Sequence, residues 1–159
     1  MALRKILTDK EPALHKVCKP VTSFDKKLHK LLDDMAETLV DSQGVGLAAP
    51  QVGILRRVVL VDNGEKILEL VNPTLLETSG EQIGAEGCLS VPGKYGLVKR
   101  PMYAKVRAQD RYGEWFEAEG EELIGRCFCH ELDHLDGILY TQVMERFLTE
   151  DELCYDEEE

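Results

Sequence analysis

Residues 129–137 read C-H-E-L-D-H-L-D-G. His130 and His134 stand four apart, with Glu131 directly after the first, so the stretch fits H-E-x-x-H. On a helix, that spacing stacks two imidazoles on one face, where both can hold a transition metal. Glu131 lies about 100° round from His130. It therefore flanks the metal rather than binding it, which is where a general base for an activated water belongs. The expected chemistry is metal-assisted hydrolysis.

Two imidazoles make half a site, and the third ligand must be a Cys, His, Asp or Glu elsewhere. The longer metalloprotease motif needs a histidine six residues after His134, and Tyr140 occupies that position. Glu145 and Glu150 remain downstream carboxylate options. Upstream, Cys88 sits in E-G-C-L-S between glycine-rich turns, where a thiolate can point into a pocket. Taken alone, Cys88 reads equally well as a small buried hydrophobe.

These residues need a scaffold. The 159-residue chain suits one domain with a substantial core. Apolar spacing at Leu28, Leu31, Leu32, Met35 and Leu39 predicts a helix over about 24–42, with Thr22 and Asp25 loosely resembling a capping box and Gly44 as the stop. Strand signals follow at 57–61, 67–71 and 103–108, then W-F-E-A-E after the turn D-R-Y-G-E. Between them, E-G-C-L-S-V-P-G-K-Y-G is rich in turn residues. A second helix starts near Gly120 and carries the histidines. Its core side should be Ile124, Phe128, Leu132 and Leu135, while Leu123, Arg126, Cys127, His130 and His134 share the other face. The fold class is therefore α+β: a mostly antiparallel sheet packed around a central metal-binding helix, with an N-terminal helix. His15 and His29 read as surface residues outside any site, His15 without a partner.

Composition excludes several classes. No run of about 18 apolar residues exists, so no membrane span is expected. The start M-A-L-R-K-I-L lacks a signal-peptide core, which makes the cytoplasm the expected compartment. No Lys/Arg stripe suggests direct nucleic-acid binding. G-V-G-L-A-A-P-Q-V-G is not a phosphate cradle, because Pro50 and Gly53 interrupt it and a helix precedes it. Five cysteines at irregular spacing argue for reduced thiols rather than a disulfide framework. Net charge is −11, but residues 150–159 carry seven acidic side chains and no basic one, leaving −4 for the remainder. We expect a catalytic domain over 1–148 and a solvated, disordered acidic tail over 149–159.

Three stretches now fall into place: G-V-G-L-A-A-P-Q at 44–51, E-G-C-L-S at 86–90 and H-E-L-D-H at 130–134. In order and spacing they resemble the three motifs of the peptide deformylases. The resemblance covers the chain to about residue 148. It implies a cytoplasmic hydrolase that removes the formyl group from the N-terminal formyl-methionine of new proteins. It also implies that Cys88, His130 and His134 bind one divalent metal, Fe(II) in cells, with Zn, Ni or Co able to replace it. Glu131 is then the catalytic base, and the Gln51 amide and Leu89 N–H stabilise the formyl oxygen. Substrate would contact Val45, Gly46, Gly87, Leu123, Arg126 and Cys127. Arg126 is expected to close the pocket rim with its stem while its head stays wet. Asp133 should pair with Arg100. The partners implied are formyl-methionyl nascent peptides and, transiently, the ribosome.

Two features depart from the family. Cys129 stands where glutamine is commoner, and is expected to flank the site rather than bind. The tail is acidic and short where some members end in a basic helix that docks on the ribosome. Other readings are a non-catalytic relative with a structural metal, a hydrolase of another formyl amide, and a zinc peptidase.

Overall fold

The computed structural model describes residues 2–153. The first helix, α1, spans Lys26–Ser42. Its cap is Asp25, whose carboxylate accepts the Leu28 N–H at 3.1 Å, and not the Thr22 of the expected box. At the other end Gln43 takes the left-handed conformation (φ 58°), while the Gly44 N–H closes back on the Leu39 carbonyl. The stop thus falls one residue earlier than the glycine suggests.

Strands follow in antiparallel pairs: β1 Gly46–Ala48, β2 Val58–Asp62, β3 Ile67–Ser79, β4 Gln82–Cys88, β5 Val91–Arg100, β6 Tyr103–Gln109 and β7 Trp115–Glu121. Helix α2 covers Leu123–Leu135, and a short β8, Arg146–Phe147, comes last. Among the described residues they form two sheets, ordered β1-β2-β3-β6-β7 and β4-β5-β8. Helix α2 begins after Gly120, which belongs to β7. The larger difference lies at 82–100. The turn-rich E-G-C-L-S-V-P-G-K-Y-G stretch is largely a hairpin, with Cys88 paired to Val91 across a tight turn. Its glycines and proline mask two strands whose partners are each other.

The larger sheet is covered on both faces at β2, while one face of β7 stays exposed. The V-V-L-V run of β2 is fully buried because alternate residues face different helices. Val58 and Leu60 pack with Leu28, Leu31, Leu32, Met35 and Leu39 of α1. Val59 and Val61 pack with Phe128 and Leu135 of α2, together with Ala104 and Val106. Ile124 and Leu132, also assigned to the core side, pack partly buried against the same cluster. Helix α2 therefore lies between the sheet and the β4–β5 hairpin, as a central helix should.

The histidines outside the site have ordinary uses. His29 Nε2 meets the Arg111 carbonyl at 2.8 Å, and its ring stacks edge-on with Tyr112. His15, expected to be alone, reaches the Asp9 carbonyl at 2.7 Å. Cys18, Cys88, Cys127 and Cys129 are all free thiols. Residues 150–153 of the acidic tail are helical, and Glu152 pairs with Arg146 at 2.8 Å. Cys154–Glu159, the remainder of that expectation, lie outside the described residues. Among the described residues no helix is long and apolar enough to cross a membrane.

Candidate metal centre

Helix α2 delivers His130 and His134 from one face, and the end of β4 brings Cys88 to meet them. The His130 and His134 Nε2 atoms lie 3.2 Å apart, and Cys88 Sγ lies 3.4 Å from His134 Nε2. All three ligand atoms fall within 4.8 Å of one another. A tetrahedral ion with ordinary metal–nitrogen and metal–sulfur bonds separates two nitrogens by about 3.3 Å, and sulfur from nitrogen by about 3.6 Å. The His130–His134 and Cys88–His134 separations are each within about 0.2 Å of those values. Burial, and then the neighbouring His130, hold His134 well below the usual imidazole value, so it is a free-base donor. The residues fit a divalent ion.

Glu131 sits beside this triangle. Its carboxylate oxygens lie 3.9 Å from His130 Nε2 and 4.0 Å from His134 Nε2, too far to share the ligand role. Oε1 is buried without a hydrogen-bond partner among the described residues. Burial pushes the Glu131 carboxyl up to about 7. A buried acceptor in that state is suited to holding a water and taking its proton. Gly46 explains its own smallness here: a Cβ on it would lie 2.6 Å from Glu131 Oε2 and 2.7 Å from Cys127 Sγ.

Gln51 is held at both ends. Its Oε1 accepts the Ala48 N–H at 2.9 Å, which turns Nε2 toward Ser90 Oγ at 3.1 Å and Cys88 Sγ at 3.6 Å. The amide donor thus faces the ligand triangle. Ser90, fully buried at the end of E-G-C-L-S, anchors the amide, a part that its position in the motif does not reveal.

Over these groups lies a cavity of about 480 Å³. Val45, Gly46, Gly87, Leu123, Arg126 and Cys127, the predicted substrate contacts, all line it, as do Gln51, Cys88, Leu89, His130 and Glu131. His134, only 1% exposed, is not part of the lining and forms the floor behind it. Gly87, one of the predicted contacts, owes its smallness to Tyr95 as well, whose ring would lie 2.6 Å from a Cβ placed there. One expectation needs correcting. Arg126 was expected to keep its head wet, yet it is buried, and its guanidinium donates to Glu86 Oε2 at 2.8 Å and the Val98 carbonyl at 3.1 Å.

Glu86 is the residue that sequence reasoning missed. It is buried and accepts His130 Nδ1–H at 2.5 Å. Arg100 grips the same carboxylate at 2.6 and 3.1 Å, and reaches Asp133 at 2.8 Å, the pairing expected for that aspartate. Although burial opposes its charge, hydrogen bonds from His130 and Arg100 hold the Glu86 carboxyl down at about 2. An anion there fixes the tautomer and ring plane of His130. Cys129 is buried in the core and outside the ligand triangle, as its helical angle requires.

Comparison with known proteins agrees with this geometry. The family model described as polypeptide deformylase matches residues 3–149. A peptide deformylase of Agathobacter rectalis is 54% identical, over 91% of this chain and 92% of that protein. One from Acetivibrio thermocellus is 53% identical, over 96% and 90%. Among solved structures, the peptide deformylase from Thermotoga maritima superposes with a TM-score of 0.87 at 40% identity, over 90% of this chain and 98% of that one. The Legionella pneumophila peptide deformylase gives 0.86 at 39%, over 98% and 92%. With the family model spanning nearly its whole length, and relatives this similar, the chain belongs to the polypeptide deformylase family.

Proposed function

We propose that this protein is a metal-dependent hydrolase that removes the N-formyl group from the N-terminal formyl-methionine of newly made proteins, releasing formate and a free amino terminus. One observation carries the reading: a Cys–His–His triangle opens on a cavity beside a buried carboxylate oxygen that has no hydrogen-bond partner among the described residues. A structural site would surround its ion with four protein ligands, whereas Cys88, His130 and His134 are three.

Cys88, His130 and His134 would hold the ion, whose part when bound is to act as a Lewis acid and lower the pKa of water toward neutrality. The thiolate and two neutral imidazoles leave a divalent ion with a formal charge of only +1, so proton removal falls to Glu131. Its Oε1 takes the proton of the attacking water and later passes it to the leaving amine. The Gln51 amide and the Leu89 N–H donate to the formyl oxygen as negative charge grows there. Donors of this kind are worth about 3 kcal/mol each. The peptide runs extended between the approach to β1, at Val45 and Gly46, and the end of β4 at Gly87, both on sheet edges. It can pair there by backbone hydrogen bonds. The methionine side chain enters the pocket walled by Leu123, Arg126 and Cys127.

The donor set suits Fe(II), Zn, Ni and Co. Fe(II) is our assignment in cells, by kinship with the family. The substrates are formyl-methionyl nascent peptides, met transiently at the ribosome in the cytoplasm. Residues 1–148 form the catalytic domain and 149–159 an acidic appendage in this reading. The test is formate release from formyl-Met, formyl-Leu and formyl-kynurenine-like substrates by metal-loaded protein. Fast, methionine-selective release is expected. Preference for a non-peptide formyl amide, or no release with metal bound, would overturn the assignment.

A further inference from the structure

Arg126 is the feature that this reaction leaves unexplained. It occupies the pocket wall, where an apolar side chain would be the ordinary choice for holding methionine. Its head is nonetheless buried, one helical turn before His130 on the same face. The Glu86 carboxylate takes a donor from each of Arg126 and His130, plus two from Arg100. That fills the roughly four acceptor positions of a carboxylate, so its orientation is fixed. Charge tells the same story. Arg100 is shared with Asp133, so without Arg126 one cation would face two anions. With it the cluster is neutral, which a buried network requires.

We propose that Arg126 is a positioning residue that ties the wall of the substrate pocket to metal ligand His130 through Glu86. Its stem forms part of the pocket surface, while its guanidinium stops Glu86 from rotating. Glu86 in turn keeps His130 Nε2 pointed at the ion. The methionine-pocket part of this rests on the deformylase reading. The link to the metal rests only on the hydrogen bonds.

The test replaces Arg126 with Met, which keeps an apolar stem, and with Gln. Each variant is loaded with Ni(II), and loss of the metal to a chelator is timed beside kcat and KM on a formyl-methionyl peptide. Metal loss about tenfold or more faster than wild type is expected, with a fall in kcat and a KM change under about threefold. Adding Glu86→Gln to Arg126→Met should cost little beyond either change alone, as for two members of one chain of contacts. Should Arg126→Met fail to fold, the Gln variant decides. Wild-type metal retention in a folded variant, with KM or side-chain preference shifted, would make Arg126 a pocket wall only and overturn the proposal. Because metal retention is read without substrate, it still decides the point if the wild type proves inactive on formyl peptides.

Discussion

In the proposed mechanism Glu131 is a base and Cys88 a metal ligand, and substitution should separate the two roles. Glu131→Ala removes a base but no ligand. Turnover should fall about 10²–10⁴-fold, with metal content by elemental analysis unchanged. Retention of more than about a tenth of wild-type kcat would take the base role from Glu131. Cys88→Ala removes a ligand, so the purified protein should lose its metal, whereas Cys18→Ala, in a buried thiol of the core, should keep it. Equal metal content in the two variants would break the ligand assignment. Much of this was legible in the sequence, because helical periodicity fixes which side chains share a face. His130, His134 and Arg126 follow from angles alone. Glu86 does not, since it matters only once the β4–β5 hairpin lays it against α2. Nor does helical angle give depth: it placed Arg126 on the pocket side but could not tell a wet guanidinium from a buried one.

Element by element, legibility tracked how strongly each segment's pattern agreed with its burial. Helix α1 and strands β2, β6 and β7 have clear periods and ends close to those expected. The β4–β5 hairpin has Gly84, Gly87, Pro92, Gly93 and Gly96 in its strands, so local propensity pointed to turns. Tertiary contact overrides it there: Gly96 faces Met144 and Tyr140 at distances that leave no space for a Cβ. The N-terminal arm is a second case, with no periodicity to predict its course. It is pinned on α1 by Asp34, which accepts from the Ala2 N–H at 2.8 Å and from Arg4 at 2.9 and 3.0 Å. Burial raises the Asp34 carboxyl, but the Ala2 N–H, Lys30 and Arg4 outweigh it, so its pKa lies below the ordinary value. A lowered folded pKa gives stability that is full above the unfolded value of about 4 and fades as pH falls through the folded one. Wild type should therefore resist urea better than Asp34→Asn at pH 7, and the gap should narrow below about pH 4. A gap that stayed constant into acid would mean that the arm is held by packing instead.

For the whole molecule, the important fact is which parts the site joins. Cys88 belongs to the three-stranded sheet, while His130 and His134 belong to the helix packed on the five-stranded one. A bound ion is therefore a staple between two layers, backed by the Arg100 bridge from β5 to Asp133 on α2. Any ligand that binds only the folded state stabilises it by mass action, by about 4 kcal/mol at a thousand times its dissociation constant. For a chain of this size that corresponds to a Tm change of roughly 10 °C. Stripping the metal should lower Tm by about that much in wild type, and a chelator should do nothing further to Cys88→Ala. The loss should also be local. Hydrogen exchange should quicken in β4 and β5 when the ion is removed, while β2, packed between α1 and α2, and β6, packed against α2, stay protected. Uniform loss of protection across both sheets would mean that the ion supports the fold as one cooperative unit. Unchanged exchange in β4 would mean that the Glu86–Arg100–Asp133 contacts alone hold the hairpin, and that the ion is there for chemistry rather than architecture.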